Sequence, residues 1–299
     1  MTNLLMPKTY VIALGNFDGV HLGHQVLIHQ AVRIAHELGV KSKVVTFDPH
    51  PLAVINPPHT RIMSLKQQSR KFHELGCEEV QYLKFDEALR NTRAEDFLTQ
   101  SLSQAGLIKG LVVGFNFRFG KGREGDANTL LAWGARQGVK VEVVEPITLE
   151  GQVISSSQVR KFLKEGAMER VTQMLGAPLE LNGRVIRGDQ RGRKLGFPTL
   201  NLSQIVTELP ASGVYVAKAQ LKEKPFWGVV HIGELPTFGI FQPRVELHLL
   251  DFDQDLSDLD ISFQVLSRIR EVMKFESQEE LVNQIQADIK VCRDWISRQ

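Results

Sequence analysis

The sequence predicts two folds in series: a doubly wound α/β domain with a parallel sheet over residues 1–180, then an antiparallel β-barrel with a terminal helix over 181–299. Three observations carry this. The first 150 residues alternate apolar strand-like runs with stretches of helical period. A helix–Gly–strand joint recurs among them, at Gly39, Gly76, Gly106 and Gly138. From Asn182 onward the strand-like runs follow one another without helices between them.

The elements follow in order. TYVIAL (9–14) reads as a buried strand. GHQVLIHQAVRIAHEL (23–38) puts Leu27, Ala31, Ile34, Ala35 and Leu38 on one helical face, and Gly39 stops it. VKSKVVTF (40–47) is the next strand, and a helix through Leu65, Phe72 and Leu75 ends at Gly76 before EEVQYLKF (78–85). AEDFLTQSLSQA (94–105) reads as one helix before the strand IKGLVVGF (108–115). DANTLLAWGARQ (126–137) then leads to VKVEVVEP (139–146). Two short helices, SSSQVRKFLKEG (155–166) and AMERVTQMLG (167–176), bridge to the second domain. Its strands are GRVIRG (183–188), GVYVAKAQL (213–221), FWGVVHIG (226–233), VELHLLDF (245–252) and DISFQVLSRIR (260–270). An amphipathic helix over 278–296 closes the chain.

Composition excludes several classes. A net charge of +2 leaves no basic field for nucleic acid, so anion binding must come from local patches. Cys77 and Cys292 stand far apart with no metal-type spacing, as in a reducing cytosol. No leader pattern and no membrane-length apolar run is visible. The reading is a cytoplasmic protein of small-molecule substrates, without nucleic-acid or membrane partners; nothing in it indicates oligomerisation.

Chemistry concentrates first in GNFDGVHLGH (15–24), which follows a strand and opens a helix. Ligands of open α/β sheets bind at such strand ends. Gly15 and Gly19 permit close approach of backbone to an anion, and His21 and His24 lie three apart at the helix's positive end. Phosphate binding ranks above metal ligation, because zinc needs a third ligand, with only Asp18 or His50 on offer. Ser155, Ser156 and Ser157 at a helix start, with Arg160 one turn in, suit phosphate too, although a serine cap explains Ser155 equally well. In the second domain, Arg184, Arg187, Arg191, Arg193 and Lys194 face one acid, Asp189, in a segment punctuated by Gly188, Gly192 and Gly196. That is either a phosphate wrap or a solvated hairpin. In GFPTLN, Thr199 and Asn201 project to one side of an extended run and offer oxygen to a hard cation.

These stretches, with TFDPHP (46–51), VGFNFRFGKGREGD (113–126), IGELPTF (232–238) and IREVMKF (269–275), resemble in order and spacing the bacterial bifunctional riboflavin kinase/FAD synthetases over essentially the whole chain. The resemblance implies that the barrel phosphorylates riboflavin to FMN with ATP and Mg²⁺, and that the α/β domain adenylylates FMN to FAD with a second ATP. It implies that His21 and His24 stabilise the phosphates and that Gly15, Phe17, Asp18, His50, Asn116, Ser155, Ser156, Ser157 and Arg160 bind nucleotide or flavin. In the barrel it implies that Gly188, Gly196, Thr199, Asn201 and Arg270 bind, that Thr199 and Asn201 hold Mg²⁺, and that Glu246 is the catalytic base. Without the resemblance, Glu246 reads as an outward residue of an alternating strand. Leu200 stands where the family has Ala, His231 where relatives often have Asn, and DFDQDLSD lacks the usual Gly and Tyr.

Two patterns are decoys. GKGREG (120–125) spells a dinucleotide fingerprint but does not directly follow its strand, and reads as a charged, mobile loop. Asp251, Asp253 and Asp255 start like a calcium loop, but Leu256 and Ser262 occupy its Gly and Glu positions. Two rival functions remain: a nucleotidyltransferase of another phosphorylated substrate with a degenerate barrel, and a flavin-dependent carrier or regulator without turnover.

Overall fold

A computed structural model describes residues 8–188, 191–221, 224–235 and 240–299. Asp189 and positions 236–238 of IGELPTF lie outside the described residues. The chain forms two compact units, Met1–Ser156 and Ser157–Gln299.

In the first unit five parallel strands, β1 (Thr9–Leu14), β2 (Lys41–Asp48), β3 (Glu79–Lys84), β4 (Leu107–Gly114) and β5 (Lys140–Val144), form one sheet in the order β3-β2-β1-β4-β5. β1, the middle strand, is buried on both faces except at its first residue, as its unbroken apolar run requires. Tyr10, Ile12 and Leu14 enter one core layer with Phe97, Leu102 and Trp133, while Val11 and Ala13 enter the other with Ile28, Ile34 and Phe72. The chain reverses direction across the sheet between β1 and β4. Their carboxyl ends therefore flank the crevice where such folds take ligands. α1 (Leu22–Leu38) starts beside that crevice and ends at Gly39 in the left-handed conformation.

The segment expected as one helix over 94–105 is instead a helical turn at Ala94–Asp96, a π turn at Phe97–Ser101 and a 3₁₀ turn at Leu102–Ala105. The π turn shifts the phase of the buried face, so that Phe97, Leu98, Leu102 and Ala105 all reach the core. The expected mobile loop at 120–125 is tied down. Phe119 and Gly125 exchange backbone hydrogen bonds of 3.1 and 2.9 Å, and Glu124 accepts from the Ala94 amide at 2.7 Å. A small hairpin, β6 (Thr148–Leu149) with β7 (Gln152–Val153), follows β5.

The second unit is a closed antiparallel barrel. Its strands β8 (Leu179–Ile186), β9 (Leu200–Ser203), β10 (Gly213–Leu221), β11 (Lys224–Leu235), β12 (Ile240–Leu249) and β13 (Asp260–Arg270) run in the order β10-β11-β12-β9-β8-β13. Tyr215, Val230 and Leu247 share an inward level. The terminal helix Gln278–Ile296 covers part of the outer face: Cys292 packs with Val216 and Val229, and Trp295 meets Trp227 edge-on at 5.9 Å. Contacts divide the chain earlier than the expected boundary at 180/181. The helix Met168–Leu175 packs on β8 and β13, and the Ala211 amide donates to the Leu163 carbonyl at 2.8 Å. Val159, Leu163, Met168 and Val171, all buried, fall within the second unit.

Candidate active sites

The loop after β1 is held in an unusual backbone. Phe17, Gly19 and Val20 all have positive φ, of 51°, 80° and 41°. Only the glycine adopts this cheaply; for β-branched Val20 the cost must be met by surrounding contacts. Those contacts are buried and polar. Gln68 donates to the carbonyls of Asn16 and Phe17 at 3.3 and 3.0 Å, and the Thr46 hydroxyl donates to Asn16 at 3.1 Å. The Asp18 carboxylate accepts from the Ile62 amide at 2.9 Å, and its backbone carbonyl accepts from the Ser156 hydroxyl at 2.9 Å. Ser156 is thereby fixed to the same loop. Gln68 and Thr46 escaped sequence reasoning. A signal for Gln68 existed, since Leu65, Gln68 and Phe72 share one helical face and a polar residue there must find buried partners. Gln68→Leu is expected to cost roughly 2 kcal/mol of stability, because the buried Phe17 carbonyl loses its donor and the Asn16 carbonyl keeps only the Thr46 hydroxyl. Urea midpoints of the two proteins measure it.

His21 is the N-cap of α1, and its Nδ1 accepts from the His24 amide at 3.4 Å. That bond leaves the neutral ring's proton on Nε2, free to donate. The two imidazoles stack, with centroids 3.6 Å apart and planes at 18°, and Phe17 meets His24 edge-on at 5.3 Å. Burial pushes the His21 pKa down to about 4, partly offset by the Asp18 charge. His24 is also pushed well down, first by burial and then by His21. Both are neutral donors at physiological pH. The linkage follows: below about 6.5 the unfolded chain takes up protons that folded His21 refuses until about 4, so stability falls with pH across that window. For His21 alone the loss is about 3 kcal/mol. Urea midpoints of the first unit between pH 7.5 and 4.5 read it; a flat profile would contradict the burial of neutral imidazoles.

Among the described residues one group could hold a metal by proximity, Asp18, His50 and His59, whose ligand atoms lie within 4.8 Å of one another. His50 and His59 stack at 4.4 Å, and His59 Nε2 lies 3.9 Å from the Asp18 carboxylate. However, His50 Nδ1 accepts from the Leu52 amide at 3.2 Å as a helix cap, which assigns the ring's proton to Nε2. Neither nitrogen then offers a lone pair to a cation without breaking that cap. The group reads as imidazoles gathered round a buried carboxylate.

Asn116 lies exposed just beyond β4, with its amide oxygen near Gly114, on the other side of the crevice entrance from the β1 loop. Ser155 immediately precedes the helix Ser156–Glu165, in which Ser157 is exposed. Arg160, in the same helix, pairs with Glu208 at 2.7 Å and belongs to the second unit.

In the barrel the register assembles residues remote in sequence. Asn201 on β9 stands opposite Glu246 on β12, which stands opposite His231 on β11. His231 pairs with Val214, and Val214 with Arg270. Residues paired across strands share a face. Leu200 pairs with the buried Leu247 and therefore points inward, away from Asn201. Arg270 is held by a bidentate ion pair with buried Asp288 of the terminal helix, at 2.8–3.1 Å. Its guanidinium thus orders the covering helix. His248 Nδ1 donates to the Pro198 carbonyl at 2.8 Å, fixing the entry to Thr199 and Asn201.

The glycine segment presses on the same two residues. A Cβ on Gly188 would collide with the Asn201 amide, and one on Gly192 would crowd the Thr199 hydroxyl at 3.1 Å. Gly196 has φ of 87°. Two side-chain oxygens held together against a glycine backbone are hard donors of the kind that suits Mg²⁺. Gly188→Ala is expected to lower barrel activity about tenfold or more by displacing Asn201, with the first unit's activity unchanged. Separate assays of the two half-reactions measure it.

Comparisons agree with this division. Residues 5–158 match the FAD synthetase family and residues 175–296 the riboflavin kinase family. The bifunctional riboflavin kinase/FMN adenylyltransferase of Bacillus subtilis is 38% identical over 290 residues, covering 93% of this chain and 90% of its own. That of Pseudomonas fluorescens is 35% identical, covering 95% and 92%. The Escherichia coli K12 protein is 34% identical with the same coverage. A crystal structure from Streptococcus pneumoniae, named a macrolide-efflux protein, superposes with a TM-score of 0.88 at 32% identity, covering 98% of this chain and 96% of that one. No helix among the described residues here is long and apolar enough to cross a membrane.

Proposed function

The chain belongs to the bifunctional riboflavin kinase/FMN adenylyltransferase family, and on that premise we propose which of its residues carry each half-reaction. The protein phosphorylates riboflavin to FMN with ATP, then adenylylates FMN to FAD with release of pyrophosphate. The functional division lies at 180/181, with adenylylation before it and phosphorylation after it.

In adenylylation the FMN phosphate is itself the nucleophile, so the protein need only align it with the α-phosphorus of ATP and stabilise charge on the phosphate oxygens. His21 and His24 do this as neutral donors. The observation that carries the assignment is their stacked pair at the positive end of α1, beside the crevice. The strained loop, Gly15 through Asp18, brings backbone close to the phosphates; Ser155, Ser156, Ser157 and Arg160 bind ATP; Asn116 and His50 bind nucleotide or flavin.

In phosphorylation Glu246 accepts the proton of the primary hydroxyl as that oxygen attacks the γ-phosphorus of ATP and ADP leaves with the bridging oxygen. Thr199 and Asn201 would hold Mg²⁺, which when bound neutralises phosphate charge. Gly188 and Gly196 wrap the phosphates, and Arg270 takes part in binding, oriented by its pair with Asp288 of the terminal helix. The enzyme works in the cytoplasm on small molecules, without nucleic acid; the near-neutral charge balance of +2 and two cysteines far apart in the sequence support this.

Chromatography of flavins after incubation with riboflavin, ATP and Mg²⁺ tests the whole reading. FAD is the expected product. Accumulation of FMN alone would remove the roles given to the first unit, and FAD only from added FMN would remove those given to the barrel.

A further inference from the structure

His231 sits directly across the β11–β12 ladder from Glu246, on the same face, and its Nδ1 is buried with no hydrogen-bond partner among the described residues. A buried ring nitrogen left unpaired is costly, and such groups are retained where a ligand completes them. The order along the row indicates which ligand. Asn201, Glu246 and His231 occupy three adjacent strands, so each lies ~4.8 Å from the next. If Asn201 marks the side of Mg²⁺ and ATP, and Glu246 the hydroxyl that is phosphorylated, the acceptor's remaining chain must run on toward His231. In riboflavin that chain is a polyol. Deprotonated at neutral pH, with a pKa lowered to about 4 by burial and then by Arg270 against the raising effect of the Glu234 backbone, His231 adds no charge that would draw a phosphate instead.

We propose that His231 binds a hydroxyl of riboflavin's ribityl chain behind the reacting one, and so helps to select the polyol of the kinase substrate. A hydroxyl both donates and accepts, so it satisfies Nδ1 in either tautomer of the ring. Asn at this position would offer an amide to the same hydroxyl with a shorter reach. The assignment rests on Glu246 and Asn201 having the roles given above.

The test uses the full-length enzyme with riboflavin and with analogues that each lack one ribityl hydroxyl other than the terminal one. For His231→Leu, KM for riboflavin is expected to rise about tenfold, the worth of one lost hydrogen bond, with kcat within about twofold. His231→Asn should recover part of that loss. One deoxy analogue should be as poor a substrate for the wild type as riboflavin is for His231→Leu, and should lose nothing further in the variant. Unchanged KM in both variants, or losses that add for every analogue, would overturn the proposal. Adenylylation of supplied FMN shows that each variant is folded in its first unit, and near-UV circular dichroism reports on the barrel tryptophans. Glu246→Gln run alongside separates the two readings: if its kcat is unchanged, the row's chemistry fails before His231 is at issue.

Discussion

Glu246→Gln is expected to lower riboflavin phosphorylation by 10²–10⁴-fold, roughly the contribution of a positioned general base. KM for ATP should barely move, and FMN supplied from outside should still become FAD at the wild-type rate. Gln keeps the size and hydrogen-bonding capacity of Glu while removing its proton affinity, so the barrel's packing is untouched. Chromatography of flavins against time measures both half-reactions in one sample. A loss of less than about threefold would mean that Glu246 is an ordinary outward residue of an alternating strand, as it reads without its neighbours. Adenylylation falling in parallel would point to a folding defect.

The mirror-image result is expected from the first unit. His24→Ala should cut FAD formation by 10²–10³-fold, the usual worth of a donor that stabilises developing oxyanion charge, while FMN accumulates from riboflavin at an undiminished rate. His21→Ala should be as severe for a second reason, since it also deletes the cap of α1 and with it the bond to the His24 amide. The double variant should lose less than the sum of the two, because the stacked rings act on one phosphate group as a unit. Losses that simply add would indicate that the two rings serve different oxygens. Rates unaffected by either change would leave the β1 loop without its proposed chemistry.

Much of this architecture was legible in the residues. The terminal helix occupies 278–296 as its periodicity predicts, capped by Ser277 accepting from the Glu280 amide at 3.2 Å. β1, read as a continuous apolar run, has the predicted bounds, because a strand buried on both faces leaves no other composition open. The π turn at Phe97–Ser101 was hidden, since helical period alone does not reveal one inserted residue of phase. The supports of the β1 loop were hidden too. Gln68 and Thr46 act on carbonyls remote in sequence, and polar side chains carry no mark of the partner they will meet. The row of Asn201, Glu246 and His231 is a property of register, which is fixed only when strands far apart in sequence pair. Short motifs named two of its members; the third stood in the sequence only as a departure from a familiar pattern.

That row also governs how this half of the enzyme can change over generations. Its members are written into a hydrogen-bonded ladder, so a substitution at any of the three positions alters chemistry while the barrel persists. Inserting a single residue between Val245 and Glu246 does the opposite: it turns Glu246 into the interior and swings Leu247 out in the same stroke. New acceptor preferences in this scaffold should therefore arise by exchange of side chains at fixed places, with length variation confined to the turns.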